Sequence, residues 1–429
     1  MFKYDFIILY EHRNRELENA VLIAMMLEKK GYKVAIEFRR SARRSFQKAE
    51  VLIVPFFYNN KTVVDFAINP FYQFRKVINM QYEQVFTIEG EESRALIPVE
   101  SARLAYHVAW GDIPKRLMIE NGINDKNIYT VGHISMDLNY KKYDKVFLDR
   151  NKIAQKYNLP KDKKWHLFIS SFSCVGISNE EKQQWSEICD DIYDYTELCE
   201  KSQNIVLKWF DSVLNETDDY IIYRPHPHEV ESEKIKKLSV KHKNFICISD
   251  YSIRQWIRVC DSIYTWCSTS IVDVYYAKKK CCVIRPIPFP RSMEYRLYLD
   301  QEIINCYEDF KKSILNVNED HDVVGTTIDE YYSNFMISDS FMTFVDMCED
   351  VYKNRSKVDF KRKFKYSHLT VIKIFIYNIL MSIAGVIDYS KIAPSKYRAD
   401  IFHSHREMHD YIKEIKVNRK RFARIKKYE

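Results

Sequence analysis

Asp219-Tyr220-Ile221-Ile222-Tyr223-Arg224-Pro225-His226-Pro227-His228-Glu229 is the stretch on which the reading of this chain turns. Its first residues read as a buried strand. Its later residues set an arginine, two histidines and a glutamate at the strand's carboxyl end, where ligands bind in open α/β sheets. Pro225 and Pro227 fix two φ angles and restrict the residues before them, so the chain leaves the sheet as a stiff extended loop. Arg224 carries the forked donors that suit a phosphate. His226 is suited to donate to a phosphate oxygen, or to protonate a leaving group, near neutral pH. A rigid strand exit with solvated charges is the plain alternative.

Working outward, short apolar runs alternate with helical patterns. In the first third, Phe6–Tyr10, Lys33–Glu37, Val51–Phe57, Val77–Met80, Ala105–Trp110 and Ile128–Val131 read as strands. Glu16–Lys30 and Ile113–Asn121 read as helices, stopped by Gly31 and Gly122. A second series begins at His166–Ser170. It continues through strands at Tyr220–Tyr223, Phe245–Ser249, Ser262–Thr265 and Cys281–Ile284, with helices at Glu231–Val240, Ile253–Val259 and Ile271–Ala277. Repeated βα units predict mostly parallel sheets. The chain's 429 residues are too many for one ordinary core. The expected fold is therefore α/β, with two Rossmann-like doubly wound domains facing across a cleft. The expected boundaries are 1–138, a Lys-, Asp- and Tyr-rich linker at 139–164, 165–330, and a helical extension over 331–429.

Composition narrows the chemistry. There are 8 glycines in 429 residues, and neither a Gly-x-Gly-x-x-Gly nor a Walker A run is present, so the common glycine-rich phosphate cradles are excluded. Any phosphate site must use helix N-termini and side chains. All ten cysteines lie at or after Cys174, none in a Cys-x-x-Cys pair, and several in apolar runs. They read as reduced core residues of a cytosolic protein, not zinc ligands. Asp320-His321-Asp322 follows no strand and reads as a loop rather than a metal site. The start, Met1-Phe2-Lys3-Tyr4-Asp5, lacks a signal peptide's layout and runs straight into a strand.

Charge is unevenly placed. Residues 413–429 hold eight Lys/Arg against two Glu, so six of the eight net positive charges lie there. The body is nearly neutral, which argues against a nucleic-acid-binding surface and makes the tail a separate electrostatic element. Residues 369–387 are strongly apolar but contain Lys373 and Asn378, which argues against a simple membrane span. An apolar helix flanked by basic clusters suits a protein lying on an anionic membrane surface. A helix packed on the body with a solvated tail is the alternative.

Four segments carry candidate chemistry. Besides the 223–229 run, Thr265-Trp266-Cys267-Ser268-Thr269-Ser270-Ile271-Val272-Asp273 ends a strand in hydroxyls and places Ser270 and Asp273 as a helix N-cap box. Its free N–H groups and hydroxyls suit a phosphate, and Asp273 a ribose hydroxyl; an ordinary cap is the alternative. Ser170 and Ser171 close the strand His166–Ser170 with side chains small enough for a ligand to approach the backbone. Tyr10-Glu11-His12-Arg13-Asn14-Arg15-Glu16 and Gln81-Tyr82-Glu83-Gln84 place charge on the first domain's carboxyl edge. Glu11, Glu16 or Glu83 is placed to act as general base, and Arg13 or Arg15 to hold an anion; salt bridges are the alternative.

Together these segments resemble GT-B-fold glycosyltransferases of bacterial surface-carbohydrate biosynthesis, relatives of β-Kdo transferases and CDP-glycerol-type polymer transferases. The matching pieces are Tyr10–Glu18, Asn79–Gln84, Val131-Gly132-His133 with Asp137, Arg224-Pro225-His226-Pro227 and Ser268–Asp273, over about residues 1–300. The resemblance implies transfer of a sugar, such as Kdo or another acidic sugar, from a CMP- or CDP-linked donor. The acceptor would be a surface polysaccharide or lipid-linked glycan at the inner membrane face, with no metal or other cofactor. Arg224, His226, His228 and Glu229, with Ser170, Ser171, Ser268, Thr269, Ser270 and Asp273, would form the donor site. Arg13, Arg15 and Gln81 would meet the acceptor, and Glu11, Glu16, Glu83 and His226 would supply the catalytic groups. A nucleotide-sugar epimerase or hydrolase of the same fold, and a non-catalytic membrane-associated assembly protein, are the competing readings.

Overall fold

Among the described residues, twelve parallel strands form two six-stranded sheets. The computed structural model describes residues 3–11, 13–38, 47–68, 73–92, 94, 96–186, 191–227, 229, 232–315, 323–332, 339–354, scattered positions from 369 to 380, 410 and 412–424. His228 and Asp320-His321-Asp322 lie outside the described residues, as does most of 369–387.

The first unit comprises Met1–Gln84, Arg94–Asp137 and Glu330–Glu429. Its strands are β1 (Tyr4–Tyr10), β2 (Val34–Phe38), β3 (Ala49–Val54), β4 (Lys76–Asn79), β5 (Tyr106–Ala109) and β6 (Ile128–Thr130), in the order β2-β1-β3-β4-β5-β6. Helices cover both faces, so the strands are continuous apolar runs rather than alternating ones. Phe6, Ile7, Val51, Leu52, Ile53, Val77 and Ile78 are wholly buried. The helix Arg13–Lys29 is the first crossover, and Gly31 follows it at φ +94°, a conformation glycine adopts without strain.

The second unit comprises Val85–Ser93 and Leu138–Asp329. Its strands are β7 (Trp165–Ile169), β8 (Tyr220–Arg224), β9 (Phe245–Cys247), β10 (Ser262–Thr265), β11 (Cys281–Ile284) and β12 (Ile303–Ile304), in the order β12-β11-β10-β7-β8-β9. Counted from β7, that is the Rossmann order 3-2-1-4-5-6. β12 has two residues, too few to carry a periodic signal. The run Val85–Ser93 completes this unit. Its helix Ile88–Glu92 is held by a bridge from Thr87 to Tyr295, by Ile88 N–H donating to the Glu294 carbonyl at 2.9 Å, and by Arg296 on Glu91 at 2.8 Å.

Beyond residue 330 the chain returns to the first unit. The helix Ser340–Lys353 packs on β3, β4 and the helix Arg13–Lys29. Asp137 accepts a bond from the Phe341 N–H at 2.8 Å, and buried Lys76 donates to the Tyr352 carbonyl at 2.7 Å. Helical residues 412–422 also lie against Arg13–Lys29. Arg419 pairs with Glu28 at 2.6 Å, Arg421 with Glu18 at 2.5 Å, and Glu414 with Arg13. The basic tail is thus not wholly a separate electrostatic element: part of its charge neutralises acids of the first helix.

His107 of β5 is fully buried, and its Nδ1 lies 3.1 Å from the Asn79 side-chain amide. Burial pulls its pKa down to about 4. The unfolded chain therefore binds more protons between about pH 6.5 and pH 4, so stability is complete above that window and falls as the pH drops through it. The expected loss is up to about 3 kcal/mol. Melting curves across pH 4–7 check this: the slope in that window should shrink in His107→Gln.

Candidate functional site

A doubly wound sheet leaves a crevice where crossovers on either side of two neighbouring strands run to opposite faces. In the second unit those strands are β7 and β10. Ser170 and Ser171 follow β7, and Cys267–Ser270 follow β10. The Cys267 N–H donates to Ser171 Oγ at 3.1 Å, and the Ser170 N–H to the Arg224 carbonyl at 2.9 Å. Three strand exits are therefore stitched together at one edge.

The His226 turn sits on that edge. The Glu229 N–H donates to the His226 carbonyl at 2.8 Å, and Glu229 Oε2 accepts the His226 N–H at 3.1 Å. The same carboxylate accepts from Ser170 Oγ and from the Tyr223 hydroxyl, each at 2.5 Å, and from Gln203 Nε2 at 3.2 Å. Burial raises the Glu229 pKa, while these hydrogen bonds oppose the rise. Glu229 is thus turned inward beneath the loop.

Several expected ligand contacts are occupied by the protein itself. Arg224 donates to the backbone carbonyls of Ile248 at 3.2 Å, Asp250 at 2.8 Å and Tyr251, so its fork braces β8 against the segment after β9 instead of standing open for a phosphate. Asp273 is buried against Arg254 at 2.8 Å and is not presented to a ribose. Ser270 has helical angles and makes no side-chain cap bond, so the expected N-cap box is not formed. The Ser268 N–H is taken by the Tyr298 hydroxyl at 2.7 Å, and the Ser270 N–H by Ser268 Oγ at 3.3 Å. Thr269 is exposed, and Ser268 and Ser270 are half-exposed.

Sequence reasoning missed Arg285. It follows β11 on the same edge, 2% exposed, with the rings of Phe289 and Tyr298 over its guanidinium. Nε donates to the Trp266 carbonyl at 3.2 Å, Nη1 pairs with Glu294, and Nη2 is buried without a hydrogen-bond partner. A signal was available: Arg285-Pro286 repeats the strand–Arg–Pro pattern of Arg224-Pro225.

The first unit places its own charged cluster at the carboxyl ends of β1, β3 and β4. Buried Glu16 accepts the Glu11 N–H at 2.7 Å and pairs with Arg15 at 2.9 Å; Arg15 reaches on to Glu83 at 2.6 Å. Burial raises the Glu16 pKa. Burial does the same, strongly, to Tyr58, with the negative charge of Glu83 adding to it. Glu83 is 41% exposed and is the accessible carboxylate of the Glu16–Arg15–Glu83 chain. Arg13 is drawn off to Glu414. Gln81 is not an acceptor contact. It is buried at φ +49°, donates to the Leu96 carbonyl at 2.7 Å, and accepts from Asn79 at 2.8 Å. It shapes the loop that presents Glu83.

No protein-family model matches this chain, and no curated protein does. Solved structures do. The wall teichoic acid polymerase TagF aligns with a TM-score of 0.55 and 13% identity over 82% of this chain and 90% of that one. A histidine-to-asparagine variant of TagF soaked with CDPG aligns at 0.53 and 13%, over 82% and 89%. The Methanocaldococcus jannaschii UDP-GlcNAc 2-epimerase, in complex with UDP-GlcNAc and UDP, reaches 0.49 at 12% identity over 80% and 99%, too loose to carry an argument. At these identities the likeness to TagF is one of fold: two doubly wound α/β units of GT-B type.

Replacing Arg224 with alanine strips three buried or half-buried carbonyls of their donor. The expected cost is about 2–3 kcal/mol by denaturant titration, with partial recovery in Arg224→Lys, whose single ammonium cannot reach all three.

Proposed function

We propose that this chain is a metal-independent glycosyltransferase that moves a sugar from a cytidine-nucleotide donor to a surface-glycan acceptor, lipid-linked or polymeric. The observation that carries the reading is the His226 turn. It stands beside Ser170 and Ser171 at the switch point of a Rossmann-ordered sheet, where nucleotides bind in folds of this class. The likeness in fold to TagF supports the class, and the resemblance to a family whose relatives include β-Kdo transferases suggests an acidic sugar such as Kdo.

In this scheme the second unit holds the nucleotide phosphate through His226 and the hydroxyls of Ser268, Thr269 and Ser270. The acceptor hydroxyl gives its proton to a carboxylate, a role for which the resemblance offers Glu83. The hydroxyl oxygen bonds to the anomeric carbon as the bond to the nucleotide phosphate breaks, and the phosphate leaves with the electron pair. His226 stabilises that departing charge by donating a hydrogen bond, or transfers its proton to it. Arg15, held by buried Glu16, orients Glu83.

A thermal-shift panel of CMP, CDP, UDP, GDP and ADP tests this, because a ligand that binds only the folded state raises the melting temperature. CMP or CDP should shift the wild type, and His226→Ala should lose the shift. Glu83→Gln should keep it while losing about 100-fold or more in transfer. A shift with UDP or GDP alone replaces the cytidine donor; no shift with any nucleotide overturns the reading.

We also place the protein peripherally on the cytoplasmic face of an anionic membrane. In residues 412–424, Arg419 and Arg421 turn to the first unit, while Lys413, Lys416, Lys420 and Arg424 are exposed. Leu369, Ile372, Ile376, Ile379 and Leu380 expose apolar side chains, and no helix among the described residues is long and apolar enough to cross a membrane. Co-flotation with vesicles containing phosphatidylglycerol, but not with neutral ones, is expected. It should fall when Lys413, Lys416 and Lys420 become Glu; equal flotation with both vesicles refutes the placement.

A further inference from the structure

Glu229 has more hydrogen bonds than a residue waiting for a ligand should. Its four donors are the Ser170 hydroxyl, the Tyr223 hydroxyl, the Gln203 amide and the His226 backbone N–H. Two carboxylate oxygens offer about four lone-pair sites. The set is therefore full when Glu229 is ionised. Each hydroxyl has one proton, and both point at the carboxylate. The 2.9 Å approach of the Tyr223 and Ser170 oxygens then needs no proton of its own.

The donors come from separate parts of the second unit: Ser170 from the β7 exit, Tyr223 from β8, and Gln203 from the helix Ile192–Val213. Through them the carboxylate fastens the 225–229 turn to two strands and a helix. Neither proline in the turn can donate a backbone bond. In the described part of the loop the His226 N–H and the Glu229 N–H are the bonds that close it, and Glu229 makes both. No ligand needs to be present for this.

We infer that Glu229 is a positioning residue: it holds the His226 turn in the conformation that meets the nucleotide phosphate, and does not itself touch the ligand. The inference rests on the nucleotide-binding reading above. Ser170 and Tyr223 then belong to the same support, Ser170 as a donor to Glu229 rather than a contact for the donor sugar.

The test compares Glu229→Gln, Tyr223→Phe and Ser170→Ala in the full-length chain. It uses titration with CMP and CDP, melting curves, and NMR of histidine labelled with 13C at Cε1, the His226 signal being assigned by its absence in His226→Ala. Glutamine keeps the volume but leaves one acceptor oxygen for four donors. The expected results are a nucleotide affinity weakened about tenfold in Glu229→Gln and about threefold in Tyr223→Phe, a displaced His226 signal in both, and melting temperatures within a few degrees of wild type. Unchanged affinity with an unmoved His226 signal overturns the inference. So does a loss of affinity that follows the melting temperature while the His226 signal stays in place. If the wild type binds none of the nucleotides, the proposed function fails by itself, and the His226 signal decides the positioning role: unmoved in the variants, it refutes it. Should Glu229→Gln not fold, the two hydroxyl deletions are read in its place.

Discussion

Parallel pairing is the constraint from which the rest of this structure descends. When every strand in a sheet runs the same way, every connection must cross back over a face, and every strand exit falls on one edge. Crossovers cover both faces, so the strands are mostly apolar. Polar residues with chemistry to perform are left the exits. In the second unit the direction in which successive strands are added reverses between β7 and β10, so the crossovers on either side run to opposite faces and the edge opens. Ser170, Ser171, His226, Cys267 and Ser268 stand at that edge, after the ends of β7, β8 and β10.

Opening an edge exposes backbone groups and charged side chains to partial burial, and both need partners. The protein supplies them internally. Arg224 satisfies three carbonyls after β9, Tyr298 takes both the N–H and the carbonyl of Ser268, and Asp273 is neutralised by Arg254. In the first unit Gln81 and Asn79 do the same for the loop after β4. These side chains read as ligand contacts when only their position along the chain is considered. Their cost if left unpaired explains why most are turned inward. Solvent reaches a short set: half-buried His226, Ser268 and Ser270, exposed Thr269, and Glu83 with Arg15.

The two charged clusters differ in kind. Glu229 accepts from neutral donors, so its negative charge is spread over hydroxyls, an amide and a backbone N–H without a cation. Glu16 is bound to Arg15, and Arg15 reaches Glu83, so a buried acid governs the geometry of an exposed one through a shared cation. The first arrangement fixes a backbone turn. The second fixes the direction of a carboxylate at the surface.

Strand and helix positions were legible in the chain because buried parallel strands and amphipathic crossovers leave strong local patterns: β1, β8, β10 and β11 begin and end within a residue or two of where apolar runs meet charge or proline. The importance of the 223–229 run was legible for the same reason. β12 was not, since two residues carry no period. Nor was the allegiance of Val85–Ser93, because nothing local distinguishes a short helix that completes one unit from one that completes another. By itself, then, the sequence determined the alternation of elements, the parallel sheets and the edge on which chemistry must sit, since these arise from backbone geometry and burial over a few neighbouring residues. Only the tertiary structure decided which edge residues face outward and which serve as internal partners. That choice depends on distances across 24 to 59 positions of chain, such as Arg224 to Ile248 and Ser170 to Glu229, and no local pattern encodes them.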